Sequence, residues 1–469
     1  MDRLTVVISG ARGFVGSRLA EELSPRAHVI GLTRGTASRK PDDAVAAWRQ
    51  CDLFSYEDAH AALEGADVAV YLVHAMMPSA RLTQARFEDL DLISADNFAR
   101  AARARGVKQI VYLGGLIPDG AGLSKHLESR REVERVLGAH GVPVTALRAG
   151  LVVGAGGSSL EMMIRLVERL PVMVCPRWMR MRTQPIDLED VVKLLAYCTG
   201  RAETLGRTYD IGGPDVMTYQ QMVESTARAL GKRRPMLPVS LFSTGLSCLW
   251  VSVVTGAPRA LVRPLIDSLN HETIAHARTL QDDAGIPGRC FDARLRAALA
   301  ARTAAAPRAF RGVSGPGHSD ARSVQRLPLP LGYDAEQVAH LYAVWLVRFL
   351  PILRTRKEGE HRVSFYAPPL ARALLTLAYS PSSSSPDRAI MYVVGGMLAR
   401  PYDRGRLEFV RVPERREVLA ALHDFHPRLP WWIYVLSQAR VHEWVMHAYG
   451  RYLARVPGEA PSPQRAPDL

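Results

Sequence analysis

The 469-residue chain has few cysteines and no cysteine pattern. Its five cysteines, at positions 51, 175, 198, 248 and 290, lack the short paired spacing of a disulfide framework or a thiolate metal site. The first residues lead directly into an apolar run and leave no room for a signal peptide. We therefore predict a cytoplasmic protein without a bound metal.

Acidic residues are fewer than basic ones, with 46 Asp and Glu against 60 Lys and Arg and a net charge of +14. The arginines are spread along the chain and form no basic run with interleaved aromatics, which argues against specific nucleic-acid binding. Long apolar runs are also scarce. The uncharged stretch 239–255 is diluted by Ser and Thr and is shorter than the roughly 20 apolar residues of a spanning helix. We interpret it as a buried helix that lines an apolar pocket; the alternative is a surface that touches lipid.

The strongest pattern lies in the first 16 residues. An apolar, β-branched run ends in Gly10, Gly13 and Gly16, which predicts a strand, a tight turn and a helix N-terminus. Gly10 permits the turn, Gly13 lets the backbone approach phosphates, and Gly16 lets the helix pack close to the strand. The helix amides would then face the diphosphate of a dinucleotide. The other residues of this loop that we expect to contact the dinucleotide are Arg12, Phe14 and Val15.

No carboxylate follows the second predicted strand. Thr33 and Arg34 stand where an acidic residue would bind the free ribose hydroxyl of NAD. Arginines such as Arg34 and Arg12 instead suit a 2′-phosphate, because a guanidinium matches phosphate oxygens bidentately. We therefore predict NADP(H) rather than NAD(H); the alternative is that Arg34 is a solvated surface charge.

Apolar runs at residues 66–73, 109–114 and 144–148 alternate with helical patterns at 88–105 and 127–139. This alternation predicts an α/β fold with a doubly wound parallel sheet of the Rossmann type. Ligands of such sheets bind outside the carboxyl ends of the strands. Residues that follow strands are therefore further candidates for cofactor contact: Asp52, Leu53, His74 and Gly114. Asp52 is equally compatible with a helix cap or a turn.

The glycine spacing and the segments 112–116, 147–154, 183–191 and 209–214 together resemble the atypical extended short-chain dehydrogenase/reductases. These are NAD(P)-binding, epimerase/dehydratase-like proteins. The resemblance covers roughly residues 1–300 and implies a Rossmann fold with a nicotinamide cofactor. It does not specify a reaction.

The chain lacks the Tyr-x-x-x-Lys pair that active members of this family carry, since no such pair occurs in residues 100–160. In the family, the Tyr transfers the proton, the Lys lowers its pKa and holds the nicotinamide ribose, and a Ser on the preceding strand polarises the carbonyl. By register, His126 takes the Tyr position, Arg130 the Lys position, and Gly114 or Gly115 the Ser position.

His126 and Arg130 are four residues apart and share a helix face. We predict that His126 relays the proton and that Arg130 contacts the cofactor. The alternatives are an ordinary polar residue near a helix start and an exposed Arg130–Glu134 ion pair.

Composition predicts five segments: a nucleotide-binding domain (1–235), a helical cap on the substrate (236–300), a linker (301–330), an α+β domain (331–456) and a disordered tail (457–469). The α+β segment combines strand patterns with a long apolar helix over 431–453. It weakly resembles a helix-grip domain, which would bind a hydrophobic small molecule.

We thus predict an NADP(H)-binding short-chain oxidoreductase that transfers a hydride to or from a hydrophobic carbonyl, quinone or alkene. One alternative is a non-catalytic NADP(H)-binding regulator, sensor or assembly factor, which the missing Tyr and Lys favour. A second is an epimerase or dehydratase with a recycled nucleotide, which the same absence weakens.

Overall fold

The structure is a computed structural model that describes residues 3–35, 44–75, 82–120, 122–239, 244–304, 321–400 and 404–458. The chain divides into two compact units. The first comprises residues 1–77 and 94–311, and the second comprises residues 78–93 and 312–469.

In chain order, the strands of the described residues are β1 (Leu4–Ser9), β2 (Ala27–Thr33), β3 (Ala47–Gln50), β4 (Val68–Tyr71), β5 (Leu82–Gln84), β6 (Gln109–Gly115), β7 (Val144–Ala149), β8 (Val152–Val153), β9 (Met173–Pro176), β10 (Arg182–Thr183), β11 (Ile186–Asp187), β12 (Thr208–Ile211), β13 (Met217–Thr218), β14 (Met236–Val239), β15 (Ala321–Pro328), β16 (Arg354–Lys357), β17 (Arg362–Tyr366), β18 (Leu375–Tyr379), β19 (Arg388–Gly395), β20 (Arg406–Arg411) and β21 (Glu417–Phe425).

The α-helices of the same residues are α1 (Gly16–Leu23), α2 (Tyr56–Ala62), α3 (Phe87–Ala104), α4 (Lys125–Gly138), α5 (Ser158–Arg169), α6 (Leu188–Cys198), α7 (Tyr219–Ala229), α8 (Thr244–Thr255), α9 (Arg259–Ser268), α10 (Thr279–Asp283), α11 (Phe291–Ala304), α12 (Ala335–Phe349), α13 (Trp431–Leu436) and α14 (Gln438–Leu453). None of these helices combines the length and the apolar character that a membrane crossing requires.

The first unit is built on a seven-stranded parallel sheet in the order β12-β7-β6-β4-β1-β2-β3. β1 lies between β2 and β4, so the connections from β1 and from β4 run in opposite directions and leave a crevice at the carboxyl ends of these two strands. The apolar centre of β1 is fully buried, with Val6, Val7 and Ile8 all 0% exposed. The predicted doubly wound fold is confirmed.

A helical lobe in the same unit has a separate apolar core, to which α5, α7, α8, α9 and α11 contribute. The predicted boundary at residue 235 does not separate two cores, because α5 and α7 pack with the helices of segment 236–300. Apolar residues of both segments, such as Met163 and Val262, are buried together.

The second unit is an eight-stranded sheet in the order β16-β17-β18-β19-β20-β21-β15-β5. Its pairs are antiparallel except for β15 with β5. α12, α13 and α14 contribute to the core that the sheet forms. The predicted helix over 431–453 is wrong in one respect, because it breaks into α13 and α14 at Ser437, whose ψ of −85° is not helical.

The predicted linker over 301–330 is also too long. α11 continues to Ala304, and β15 begins at Ala321 and buries Val324 and Leu327 in the sheet. The rest of that segment, residues 305–320, and residues 459–469 of the predicted tail lie outside the described residues.

Aromatic rings fill the space between the helices and the sheet of the second unit. The ring of Tyr449 lies 5.1 Å from Tyr342 and 4.9 Å from Trp345, and Tyr342 lies 5.8 Å from Phe409. The Tyr449 hydroxyl donates a hydrogen bond of 2.6 Å to the Val338 carbonyl. The predicted binding of a hydrophobic small molecule by this unit stays a prediction.

A buried ion cluster lies among β19, β20 and β21. Glu408 is 0% exposed and accepts hydrogen bonds from Arg388, at 3.0 Å, and from Arg406. Burial by itself would raise the pKa of Glu408, but the two guanidinium groups outweigh it and lower the pKa to about 2. The cluster is therefore ionised at neutral pH.

Candidate functional site

The glycine loop adopts the geometry that its spacing predicts. Gly10 has a φ of +79°, and the Gly13 amide donates to the Gly10 carbonyl at 2.8 Å. A Cβ at Gly16 would overlap that same carbonyl, so only glycine allows α1 to begin here. Val15 at the N-cap contributes no side-chain hydrogen bond, and no acid lies in the first turn of α1. The N-terminal amides and dipole of α1 therefore suit a diphosphate.

Arg12 follows β1 and Arg34 follows the neighbouring strand β2, and both are exposed. The Arg12 guanidinium stacks 4.5 Å from the ring centroid of Trp48 on β3. Trp48 lies against Gly31 of β2, where a Cβ would come within 2.6 Å of the ring. Sequence reasoning missed Trp48; the signal that could have found it is a glycine in the middle of a buried strand. Thr33 ends β2 beside Gln50, and Arg34 follows it.

Asp52 and Leu53 form the turn that precedes α2. The Asp52 carboxylate accepts a hydrogen bond from the Phe54 amide at 3.2 Å, and its carbonyl accepts one from the Ser55 amide. Ser55, not Asp52, caps α2. Leu53 is buried, and its carbonyl accepts a hydrogen bond of 3.0 Å from Asn97. Asp52 is thus a turn residue, and its contact with adenine stays a prediction.

His126 lies in the first turn of α4, after the N-cap Ser124. Its Nδ1 is 2.9 Å from the Ser268 hydroxyl at the end of α9. Its ring centroid is 5.1 Å from that of His74, which follows β4. Burial lowers the pKa of His126 well below its usual value, and the positive charges of His74 and Arg130 lower it further. His126 is therefore neutral at pH 7.

The hydrogen bonds of Ser268 assign the tautomer of His126. The Ser268 hydroxyl is 2.9 Å from the Pro264 carbonyl, and a carbonyl can only accept, so the single hydroxyl proton points there. Both other neighbours of this oxygen, His126 Nδ1 and the Ser124 hydroxyl at 3.0 Å, must then donate to it. His126 consequently carries its proton on Nδ1 and its acceptor lone pair on Nε2.

A second contact joins the same two elements. The Ser124 amide donates to His271 Nε2 at 3.1 Å, while the Ser124 hydroxyl accepts from the Leu127 amide that it caps. α4 is thus attached to the end of α9 by hydrogen bonds that fix the position of His126. Sequence reasoning missed Ser268 and His271, because both come from a segment more than a hundred residues away.

Arg130 lies one turn after His126 and packs its stem against the end of β6. A Cβ at Gly115 would lie 3.6 Å from Arg130 Cγ, whereas a Cβ at Gly114 would meet the Tyr112 ring at 2.8 Å. Gly115, rather than Gly114, therefore takes the position of the family's serine. The alternative ion pair between Arg130 and Glu134 does not describe Glu134. Its carboxylate instead accepts two hydrogen bonds from Arg148, at 2.7 and 2.8 Å.

A cavity of about 330 Å³ lies between these residues and the helical lobe. Phe14, Gly115 and Gly150, which follow β1, end β6 and follow β7, form its side towards the sheet. His126 and Ser268 lie in its wall, as do Tyr219 and Thr273. The rest of the lining is largely apolar and includes Met162, Met163, Trp178, Val251, Val262 and Leu265. The arrangement suits a hydrophobic ligand with one polar group.

The segments 183–191 and 209–214 hold the framework together. The Gln184 side chain donates to the Gly213 carbonyl at 2.6 Å. The side chain of Arg294, which is fully buried, donates to the Pro185 carbonyl at 2.8 Å. These segments therefore fix the lobe to the sheet.

Residues 10–163 match a family model described as NAD(P)H-binding. The match includes the glycine loop, His126 and Arg130. The first unit contains an NAD(P)H-binding Rossmann domain.

Two curated relatives resemble this part of the chain. The auxiliary protein GraX of Staphylococcus aureus is 36% identical over 139 residues, which cover 30% of this chain and 42% of that protein. The sanguinarine reductase of Eschscholzia californica is 28% identical over 203 residues, which cover 34% of this chain and 74% of that enzyme. The match therefore spans less than half of the length of the first of these relatives.

Solved structures share the fold. The NADPH-dependent quinone oxidoreductase of Escherichia coli, complexed with NADPH, has a TM-score of 0.50 at 20% identity and covers 62% of this chain and 98% of its own. The triphenylmethane reductase of Citrobacter sp., complexed with NADP(H), has a TM-score of 0.51 at 16% identity and covers 63% of this chain and 100% of its own.

Proposed function

We propose that the first unit is an NADP(H)-dependent reductase that transfers a hydride to a hydrophobic carbonyl, quinone or activated alkene. The observation that carries this proposal is the apolar cavity of about 330 Å³ at Phe14, Gly115 and Gly150. These residues lie at the edge of the sheet along which a dinucleotide extends from the glycine loop. A ligand in the cavity would therefore face the nicotinamide, which supplies the hydride when it is bound.

Arg12 and Arg34 support a preference for NADP(H). Both side chains are exposed at the carboxyl ends of the neighbouring strands β1 and β2, and no carboxylate stands at positions 33 and 34 to accept a hydrogen bond from the ribose hydroxyl of NAD. The stacking of Arg12 on Trp48 orders one guanidinium at this end of the strands. A 2′-phosphate could accept hydrogen bonds from both.

His126 is the residue that handles the proton in this proposal. In the oxidative direction, its Nε2 lone pair accepts the proton of a substrate hydroxyl, while Ser268 holds Nδ1. In the reductive direction, Nε2 first takes up a proton and passes it to the substrate oxygen after the hydride arrives. Because the pKa of His126 is low, its protonated ring is a strong acid, but only a small fraction of His126 is protonated at neutral pH. Arg130 stays charged and can bind a ribose hydroxyl or a phosphate.

The relative named sanguinarine reductase supports reduction of a hydrophobic substrate. A second candidate, a non-catalytic NADP(H)-binding regulator, is favoured by one observation. Gly115 offers no hydroxyl to polarise a carbonyl, and His126 replaces the family's tyrosine. The relative named an auxiliary protein agrees with that alternative.

Binding and turnover measurements separate the two. Nicotinamide fluorescence would first compare NADPH and NADH, and NADPH consumption would then be followed with naphthoquinones, enals and aryl ketones. The reductase proposal predicts turnover with members of this panel, and a loss of turnover at retained NADPH affinity in His126→Ala. His28→Ala, at an exposed histidine of β2, is the matched control and should keep both. Binding without turnover across the panel would favour the regulator.

A further inference from the structure

α8 buries its small side chains and exposes both of its leucines and Val253, while Trp250 packs against the core of the lobe. Leu246, Leu249 and Val253 are 47%, 39% and 72% exposed, and their spacing of three and four residues places them on one face. The opposite face is buried and consists of Ser247, Cys248, Val251, Ser252 and Thr255. A surface helix of a globular protein normally shows the reverse arrangement.

Hydrogen bonds explain why the polar face can lie inside. The Trp178 indole donates to the Ser247 hydroxyl at 3.4 Å, and the Thr255 hydroxyl donates to the Val251 carbonyl at 2.7 Å. Between them, Val251 lines the apolar cavity. Nothing in this packing requires leucines on the outer face, so that face serves something other than the fold.

Arginines lie near α8, which itself carries no charge. At its C-terminal end, the exposed Arg169 donates to the Val254 carbonyl at 2.6 Å. Arg165 donates to the Thr255 carbonyl at 3.0 Å, but it is largely buried and paired with Glu161 at 2.7 Å.

The next helix adds to the positive charge. Arg259 and Arg263 are exposed and one turn apart on α9, which packs against α8. Glu168, which precedes Arg169 in the sequence, forms an ion pair with Arg302 at 2.8 Å. Exposed guanidinium groups of Arg169, Arg259 and Arg263 thus lie at the C-terminal end of α8 and on the helix that packs against it.

We propose that α8 and these arginines form a peripheral contact surface for an anionic phospholipid bilayer. Leucine and valine side chains enter the boundary between headgroups and acyl chains, and guanidinium groups bind headgroup phosphates bidentately. Three apolar side chains make a weak anchor by themselves. Binding therefore requires anionic lipid and weakens as salt rises. This surface does not depend on the proposed reaction, although the inner face of α8 forms a wall of the cavity.

A fluorescent probe at the stripe tests the contact in the full-length protein. Cys290 is the exposed cysteine and the other four are buried, so Val253→Cys can be labelled in a Cys290→Ser background with an environment-sensitive dye. Vesicles containing phosphatidylglycerol should shift its emission to the blue, and vesicles of phosphatidylcholine alone should not. Ala139→Cys in the same background is the control, because this exposed residue caps the C-terminal end of α4, away from His126 and the contacts of α4 with α9.

An absent shift at position 253, or an equal shift at both positions, would overturn the proposal. As a second measurement, the Leu249→Glu/Val253→Glu variant should lower co-sedimentation with phosphatidylglycerol vesicles about tenfold, because carboxylates enter the interface unfavourably. Its circular dichroism and thermal midpoint should match the wild type, since both side chains are exposed. Trp432→Glu, at a 68% exposed residue of the second unit, should keep the binding. Wild-type binding by the α8 variant would contradict the proposal.

Discussion

The two units differ in the space between their sheets and their helices. The first unit keeps a cavity of about 330 Å³ between its sheet and its helical lobe, with His126 and Ser268 in the wall. In the second unit, the rings between the sheet and the helices pack 4.9 to 5.8 Å apart. Its cavity of about 850 Å³, at β5, β15 and α14, is lined mostly by polar and charged side chains such as Asp89, Arg326 and Glu417. Both contain apolar helices on a sheet, so composition alone does not distinguish a ligand site from a core.

The difference assigns the two units different roles in the account. The proposed small-molecule chemistry concerns the first unit, where Phe14 of the glycine loop lines the cavity. The second unit is held by a filled aromatic core and the buried cluster around Glu408.

Truncating a buried aromatic ring should strongly lower the stability of the second unit and should hardly change ligand binding. Tyr449→Ala removes a fully buried side chain and should lower the free energy of unfolding of this unit by about 3–5 kcal/mol. Chemical denaturation followed by tryptophan fluorescence measures the loss. Tyr449→Phe, which removes only the hydrogen bond to Val338, should cost about 1 kcal/mol. A loss of NADPH binding in Tyr449→Ala under native conditions would contradict the separation of roles.

Removing one guanidinium should change the nucleotide preference of the first unit. Arg34→Ala should weaken NADPH binding by about 1.5–3 kcal/mol, roughly 10- to 100-fold, because a charge-assisted contact with the 2′-phosphate is lost. NADH affinity should not change. Isothermal titration with both nucleotides measures this, with Arg18→Ala, an exposed arginine of α1, as control. An unchanged ratio of affinities would remove Arg34 from the site.

Matched enlargements of two buried valines compare the interiors directly. Val338→Phe adds volume to the filled core of the second unit and should destabilise it by about 1–3 kcal/mol. Val262→Phe, in the wall of the cavity, should cost less and should weaken binding of a naphthoquinone about tenfold, because the ring occupies the cavity. Thermal unfolding and fluorescence quenching by the quinone measure the two effects. Equal destabilisation without a loss of quinone binding would show that the cavity is not a ligand site.

Acid should weaken the first unit through His126. An unfolded histidine takes up a proton as the pH falls through about 6.5, whereas folded His126, whose pKa is lower, does not. The unfolded state then binds more protons, so the free energy of unfolding falls as the pH drops below 6.5, by at most about 1.4 kcal/mol per pH unit. His126→Gln should remove this part of the pH dependence in denaturation curves. Identical pH profiles would mean that His126 titrates normally in the folded protein.

Local patterns predicted most of the first unit. The glycine loop, the alternation of strands and helices, and the register of His126 and Arg130 on α4 all depend on neighbours in sequence, and the structure shows them. Ser268 and His271 could not be predicted in this way, since a segment more than a hundred residues away brings them to the site. Trp48 was missed although Gly31, in the middle of buried β2, carries a local sign of the ring beside it.

The second unit shows the limits of composition. β15 was not predicted, because the segment 301–330 is rich in Ala, Arg, Pro, Gly and Ser and was interpreted as a linker. Its Val324 and Leu327 are nevertheless buried, and Leu327 belongs to the core of the second unit. The break at Ser437 was not predicted, because residues 431–453 were interpreted as one apolar helix. The strand patterns expected for the α+β segment, by contrast, are present among the antiparallel strands β16 to β21.

The most direct test of the central claim is NADPH consumption by the full-length protein with a naphthoquinone, measured for the wild type, His126→Ala and Val262→Phe at saturating nucleotide. We expect turnover by the wild type, no turnover by His126→Ala, and a raised KM for the naphthoquinone in Val262→Phe, whose ring fills the cavity. Nucleotide binding without consumption in the wild type, or equal rates in all three proteins, would contradict it.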